Sequence, residues 1–307
     1  MKSRHIPITL LCAGLLIAAQ AAEHLSDHEE FCLQQPATPC AIFLQQALEQ
    51  TQLQTLQWFK LQSYRLDYMY VNHQFRQLYD ESNQLLKIND APQAFRTQLY
   101  FYQAKVAISR GDEAQTAYYT ELASRQLDAI YQAFADPMRV LELANLQAVA
   151  GHYDKAWQLL LQAEQRFSKI LNPAFIFELN SNKALIRHAF QQLDDAAYYR
   201  KLALDAILPS QRHHDIIVAH GNLARTYQLQ GQLGLAVDYY EKSLPYMRPG
   251  IDDLQQSIHC LRLSELYLAL QAPAKARGYL QQVNSSILSD GHQALLRQVS
   301  AALHASG

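Results

Sequence analysis

Along most of the chain apolar residues recur every three or four positions, the spacing that lines them on one face of a helix. The strict alternation of a half-buried strand is scarce. The pattern is clearest in residues 221–244, GNLARTYQLQGQLGLAVDYYEKSL, where two apolar helix-period stretches meet at Gly231. Small residues (Ala224, Ala236 and Ser243) stand there where larger ones would bury more area. The stretch predicts a helical hairpin whose two helices cross closely.

The hairpin is not alone. With Gly231 in register forty residues earlier and later, GQLGLA (231–236) aligns with GDEAQT (111–116), GHYDKA (151–156), QQLDDA (191–196) and QAPAKA (271–276). Five residues after the turn stand Thr116, Ala156, Ala196, Ala236 and Ala276. Twelve after it stand Ala123, Ala163, Ala203, Ser243 and Val283, and seven before it Ala104, Ala144, Ala184, Ala224 and Ser264. Eight after it come Tyr79, Tyr119, Leu159, Tyr199, Tyr239 and Tyr279. Small residues at a helix crossing let backbones approach, and the tyrosines are expected to pack on the neighbouring unit. A single hairpin leaves half of its apolar surface in water, so such units stack. Glycine at the turn ends a helix in the left-handed conformation. Gln191 and Gln271 lack that freedom, and their turns are expected to use another geometry.

Prolines mark the joints. Pro92, Pro137, Pro173, Pro209 and Pro249 each fall between the second helix of one unit and the first of the next, where a proline bars continuation. The reading divides the chain into residues 1–21, 22–52, repeats over 53–286 with a degenerate first unit, and a terminal capping helix over 287–307. No catalytic domain is expected on either side.

AHGNLARTYQLQGQLGLAVDYYEKSLPYM (219–247) resembles a tetratricopeptide repeat at His220, Leu223, Ala224, Tyr227, Gly231, Leu233, Ala236, Tyr240 and Ser243. The forty-residue pitch is similar to the longer variety of kinesin light chains and some bacterial sensors and regulators. The resemblance implies an all-α, right-handed superhelical solenoid of stacked antiparallel hairpins, whose first helices line an inner groove that takes a protein or peptide. It also implies candidate groove residues. Asn182 and Asn222 lie nine residues before the turn, in a column shared with Tyr102, Glu142 and Arg262. Lys105, Asn145, Leu185, Arg225 and Glu265 lie six before it, on the same face. The groove set is therefore Lys105, Asn145, Asn182, Asn222, Arg225 and Arg262, a polar and locally positive patch. An amide there offers donor and acceptor together, matching a peptide group. The bland alternative is that Asn182 and Asn222 are merely solvated positions of a wide groove.

Residues 1–21 read as a separate object. MKSRH gives a positive start, ITLLCAGLLIAA a short apolar run, and Ala19-Gln20-Ala21 a small-x-small site, so a secretory signal peptide cleaved after Ala21 is expected. A lipoprotein at Cys12 is disfavoured by Leu11. Loss of Lys2 and Arg4 would take the formal charge from −2 to −4. Export to an oxidising, periplasmic compartment makes a Cys32–Cys40 disulfide the expected use of FCLQQPATPC. Cys260, on an apolar helix face, is expected to be a buried small hydrophobe.

The composition agrees. Only 10 Gly and 10 Pro occur in 307 residues, and Leu, Ala and Gln, all helix formers, dominate. The near-neutral charge recommends no nucleic acid, and no phosphate loop, nucleophile elbow or dinucleotide fingerprint is present. No cofactor and no metal are expected: His24 and His28 lack a third ligand, and His213, His214 and His220 are read as surface histidines. Asp194-Asp195 and Asp252-Asp253 are assigned to helix starts, where acids favour the dipole. The expectation is a non-enzymatic scaffold or adaptor; the alternative is a periplasmic sensor signalling through a separate membrane diguanylate cyclase or histidine kinase.

Overall fold

The computed structural model describes residues 37–72, 74–134, 137–210 and 212–305. Every regular element among them is helical. The chain divides into two compact units, 1–74 and 75–307, and the division falls inside the stretch expected to form the degenerate first repeat. In the first unit, α1 (Ala37–Gln50) and α2 (Leu56–Val71) bury Leu44, Leu61 and Leu66. Thr55 caps α2 by accepting from the Trp58 N–H at 3.2 Å, satisfying one of the amides a helix start leaves open. Cys40 is fully buried there, whereas Cys32 lies outside the described residues, as does the expected signal peptide.

The second unit opens with α3 (Phe75–Leu85) and continues as five antiparallel hairpins. These are α4 (Gln93–Arg110) with α5 (Glu113–Phe134), α6 (Pro137–Val149) with α7 (Tyr153–Arg166), and α8 (Pro173–Ala189) with α9 (Leu193–Ile207). Then come α10 (His213–Leu229) with α11 (Leu233–Ser243), and α12 (Asp253–Ala269) with α13 (Pro273–Leu280). Helix α14 (Asp290–Ala305) ends the unit, sinking Val299 and Leu303 into the core shared with Leu263 and Leu266 of α12.

All five turns have the same backbone. Gly111, Gly151 and Gly231 have φ of 68°, 86° and 75°, and Gln191 and Gln271 each have 59°. The expectation of another geometry at the two glutamines is therefore incorrect. The reason lies in the hydrogen bonds that follow. At each turn the column residue donates three residues back and the next residue donates five back. Examples are Gln191 to His188 at 2.9 Å with Gln192 to Arg187 at 2.9 Å, and Gly231 to Gln228 at 3.0 Å with Gln232 to Tyr227 at 2.9 Å. These two bonds satisfy carbonyls that a helix end leaves open, and they hold a glutamine in a region that costs an L-residue about 1–2 kcal/mol.

The small columns are the crossings. Ala104, Ala144, Ala184, Ala224 and Ser264 are fully buried, as are Ala156, Ala196, Ala236 and Ala276. Ser264 uses the close approach, its hydroxyl donating across the hairpin to the Ala276 carbonyl at 2.9 Å. The tyrosine column is less uniform than expected. Tyr119, Tyr239 and Tyr279 pair with Tyr100, Tyr227 and Tyr267 of their own hairpins. Contact with the preceding unit comes from Tyr199 on Trp157 and from the Tyr279 hydroxyl, which donates to Glu241 at 2.9 Å.

Candidate functional site

The first helices of successive hairpins lie beside one another, and the residues six and nine before each turn meet between them. Lys105 of α4 donates to the Asn145 side-chain oxygen of α6. Asn145 donates from Nδ2 to the Asn182 oxygen of α8 at 2.6 Å, and Asn182 reaches back to the Leu141 carbonyl at 3.5 Å. An ammonium and two amides thus run across three hairpins. Asn182 is 2% exposed, so it is neither a solvated position nor free to grip a ligand. Burial pushes the Lys105 ammonium down to about 8, opposed by Glu178.

Beyond Asn182 the face opens into a cleft of about 360 Å³, to which Asn145, Glu178, Ser181, Asn182, Asp215 and Asn222 contribute. Glu178 lies one helical turn before Asn182, so the two share a face. Burial pushes its carboxyl up to about 7, with Asp215 adding to the shift and Arg212 opposing it. Arg200, from α9, spans the far wall, donating to the Asn222 carbonyl at 2.7 Å and to the Thr226 hydroxyl. The Asn222 side chain is exposed and makes no hydrogen bond among the described residues. Farther along, Arg225 is half-buried without an ion-pair partner among the described residues. Burial lowers its pKa, and the neighbouring Arg262 lowers it further. Arg262 itself is held by Glu265 at 2.9 Å.

Residues 175–248, from early α8 through the turn after α11, match the family model of the tetratricopeptide repeat. That segment carries tetratricopeptide repeats. Solved structures with this fold extend beyond that segment. Yeast Tom70 is 12% identical over 87% of this chain and 58% of its own, with a TM-score of 0.56. NprR, solved in complex with its cognate peptide NprX, is 13% identical over 92% of this chain and 82% of its own, with a TM-score of 0.52. A tetratricopeptide repeat protein from Parabacteroides merdae is 11% identical over 92% of this chain and 99% of its own, with a TM-score of 0.51. No curated protein matches the sequence.

Within the repeats, the cleft unites three of the six expected groove residues, Asn145, Asn182 and Asn222, and leaves Lys105, Arg225 and Arg262 outside its lining. The patch is not uniformly positive, because Glu178 and Asp215 share it. Glu178, Ser181, Arg200, His214 and Asp215 escaped the sequence reading. A signal for Glu178 existed. Thirteen residues before the turn the repeats carry Gln98, Met138, Glu178, Val218 and Ile258, and one is charged. Of the histidines read as surface groups, His220 is 4% exposed and stacks on Tyr246. Burial lowers it to about 4. Cys260 is fully buried and free, as expected, its thiol pushed up by burial to about 11. Among the described residues, no group of three or more His, Cys, Asp or Glu could hold a metal, and no helix is long and apolar enough to cross a membrane.

Proposed function

We propose that this tetratricopeptide-repeat chain binds a protein or peptide along the first-helix face of its hairpins and acts as a scaffold or adaptor without chemistry of its own. One observation carries the reading. Asn222 continues the amide column of Asn182, yet its side chain is exposed and, among the described residues, unbonded, where Asn145 and Asn182 are spoken for. An amide in that position can bond a peptide group in both directions, and the adjacent Arg225 adds a cation without an ion-pair partner among the described residues. The fold supports it too, since NprR, similar in fold, is known with a bound peptide. A preformed face loses little freedom on binding an extended partner.

Export belongs to the same proposal. It rests on the sequence of residues 1–21 and on FCLQQPATPC, whose Cys40 is fully buried. The compartment proposed is the periplasm, with Cys32 as the disulfide partner. Two experiments test the reading. Asn222→Ala with Arg225→Ala should abolish capture of an envelope partner by photo-cross-linking while thermal unfolding stays nearly unchanged; undiminished capture overturns the groove assignment. Amino-terminal sequencing and non-reducing peptide mapping of the protein recovered from the periplasmic fraction should give a chain starting at Ala22 with Cys32 joined to Cys40. An intact Met1 or free thiols there would sink the export argument.

A further inference from the structure

Three carboxylates act on the cleft, and two of them are already satisfied. Glu142 takes both oxygens to Arg139, at 2.8 and 2.6 Å. Asp215 is paired with Arg212 one turn before it. Glu178, which lines the cleft, has no hydrogen bond or ion pair among the described residues. The cations that act on Glu178 or line the cleft are committed elsewhere: Arg212 pairs with Asp215, the Lys105 ammonium donates to Asn145, and Arg200 donates to the Asn222 carbonyl and Thr226. The rest of the wall sets Phe177, Leu185 and Val218 beside Ser181 and His214. A lone carboxylate at the back of a partly apolar cleft matches one kind of side chain, an aliphatic stem carrying a positive head.

We propose that this cleft receives a basic side chain of the bound peptide, with Glu178 as its counter-ion. The assignment rests on the peptide-binding reading and deepens it. Entry of the ligand buries its methylenes against Phe177, Leu185 and Val218 and forms a charge-assisted hydrogen bond with a carboxylate otherwise left unpaired, the stronger class of such bonds. The groups acting on Glu178 are Lys105 from α4, Glu142 from α6, and Arg212 and Asp215 around the start of α10. Arg200 and His214 line the same cleft. Burial, together with the balance of these charges, leaves Glu178 holding its proton to about neutrality. Binding of a cation therefore releases a proton below that range and is favoured as pH rises.

The test uses the full chain and two acetylated, amidated peptides, Ala-Ala-Lys-Ala-Ala and the same sequence with norleucine for lysine. Binding is followed by the side-chain amide signals of Asn145, Asn182 and Asn222. The lysine peptide should bind at least roughly tenfold more tightly than the norleucine peptide, the lower bound for a hydrogen bond to a charged group. Its affinity should rise from about pH 6 to about pH 8 in a His214→Gln background, which removes the imidazole of the cleft. Glu178→Gln, which keeps the shape, should erase both the lysine preference and the pH dependence. Equal binding of the two peptides with the same amides perturbed would retain a peptide groove and overturn the basic-side-chain assignment. If neither peptide perturbs those amides, both readings fall.

Discussion

The turn column offers the sharpest test of how these repeats are built. Gln191 holds φ at 59° and Gly231 at 75°, with equivalent paired bonds behind them. Both residues are exposed, and an added Cβ at Gly231 meets nothing within 4 Å, so no packing term separates the two sites. The left-handed conformation costs an L-residue about 1–2 kcal/mol. Against this, glycine loses about 0.5–1 kcal/mol more conformational freedom on folding. The difference makes Gln191→Gly stabilising, and Gly231→Ala destabilising, by about 0.5–1 kcal/mol each. Urea unfolding followed by circular dichroism would show opposite shifts in midpoint. Hydrogen exchange at the Gln192 and Gln232 amides, which donate across the caps to Arg187 and Tyr227, localises the effect in an array whose hairpins need not unfold together. A lower midpoint for Gln191→Gly, or none for Gly231→Ala, would show that the caps are not equivalent.

Other consequences of the structure can be measured in the same way. Asn182→Ala should cost about 1–3 kcal/mol in urea unfolding, because it strands the Asn145 donor, whereas Asn222→Ala should stay within about 0.5 kcal/mol. Glu178 has its carboxyl raised from 4.5 to about 7, so its folded state holds a proton that the unfolded chain releases. Stability is then fully present below the lower value and is lost as pH rises to the upper one. Glu178→Gln should abolish that loss, a gain on the order of 3 kcal/mol at pH 8 that vanishes near pH 4; a gain independent of pH would contradict the assignment. Ala224→Leu, forced into a fully buried crossing, should lower the unfolding free energy by about 1–3 kcal/mol.

The architecture was legible because its determinants are local and repeated. A small residue every forty positions has few uses besides a helix crossing, and Ala104 through Ser264 all fulfil it. Gln191 and Gln271 misled because the left-handed penalty is small beside the two bonds that each cap makes, and those bonds involve backbone, which leaves no trace in residue type. Asn182 was read as groove-facing because its column is right. Its burial depends on Asn145, 37 residues away, and no single helix reveals that pairing. Glu178 was missed for the complementary reason. Glu142 and Asp215 sit three residues after an arginine, and Glu178 does not. The contrast acquires meaning once α6, α8 and α10 are seen to share a cleft. His220 was assigned to the surface on the strength of its neighbours in QRHHD, although it lies two turns into α10, where the helix turns inward.

The five identical caps have a consequence for how such a chain can change length. Because Gln191 and Gly231 carry the same backbone and bonding, the stretch from one to the next is a cassette with matching ends. Cutting it out, or copying it in, joins one helix end to another of the same shape and shifts the columns by a whole unit. Such a graft adds or subtracts one first helix from the array and keeps the remaining hairpins in register. The length of the array is thus adjustable in steps of forty residues, each step a self-contained edit.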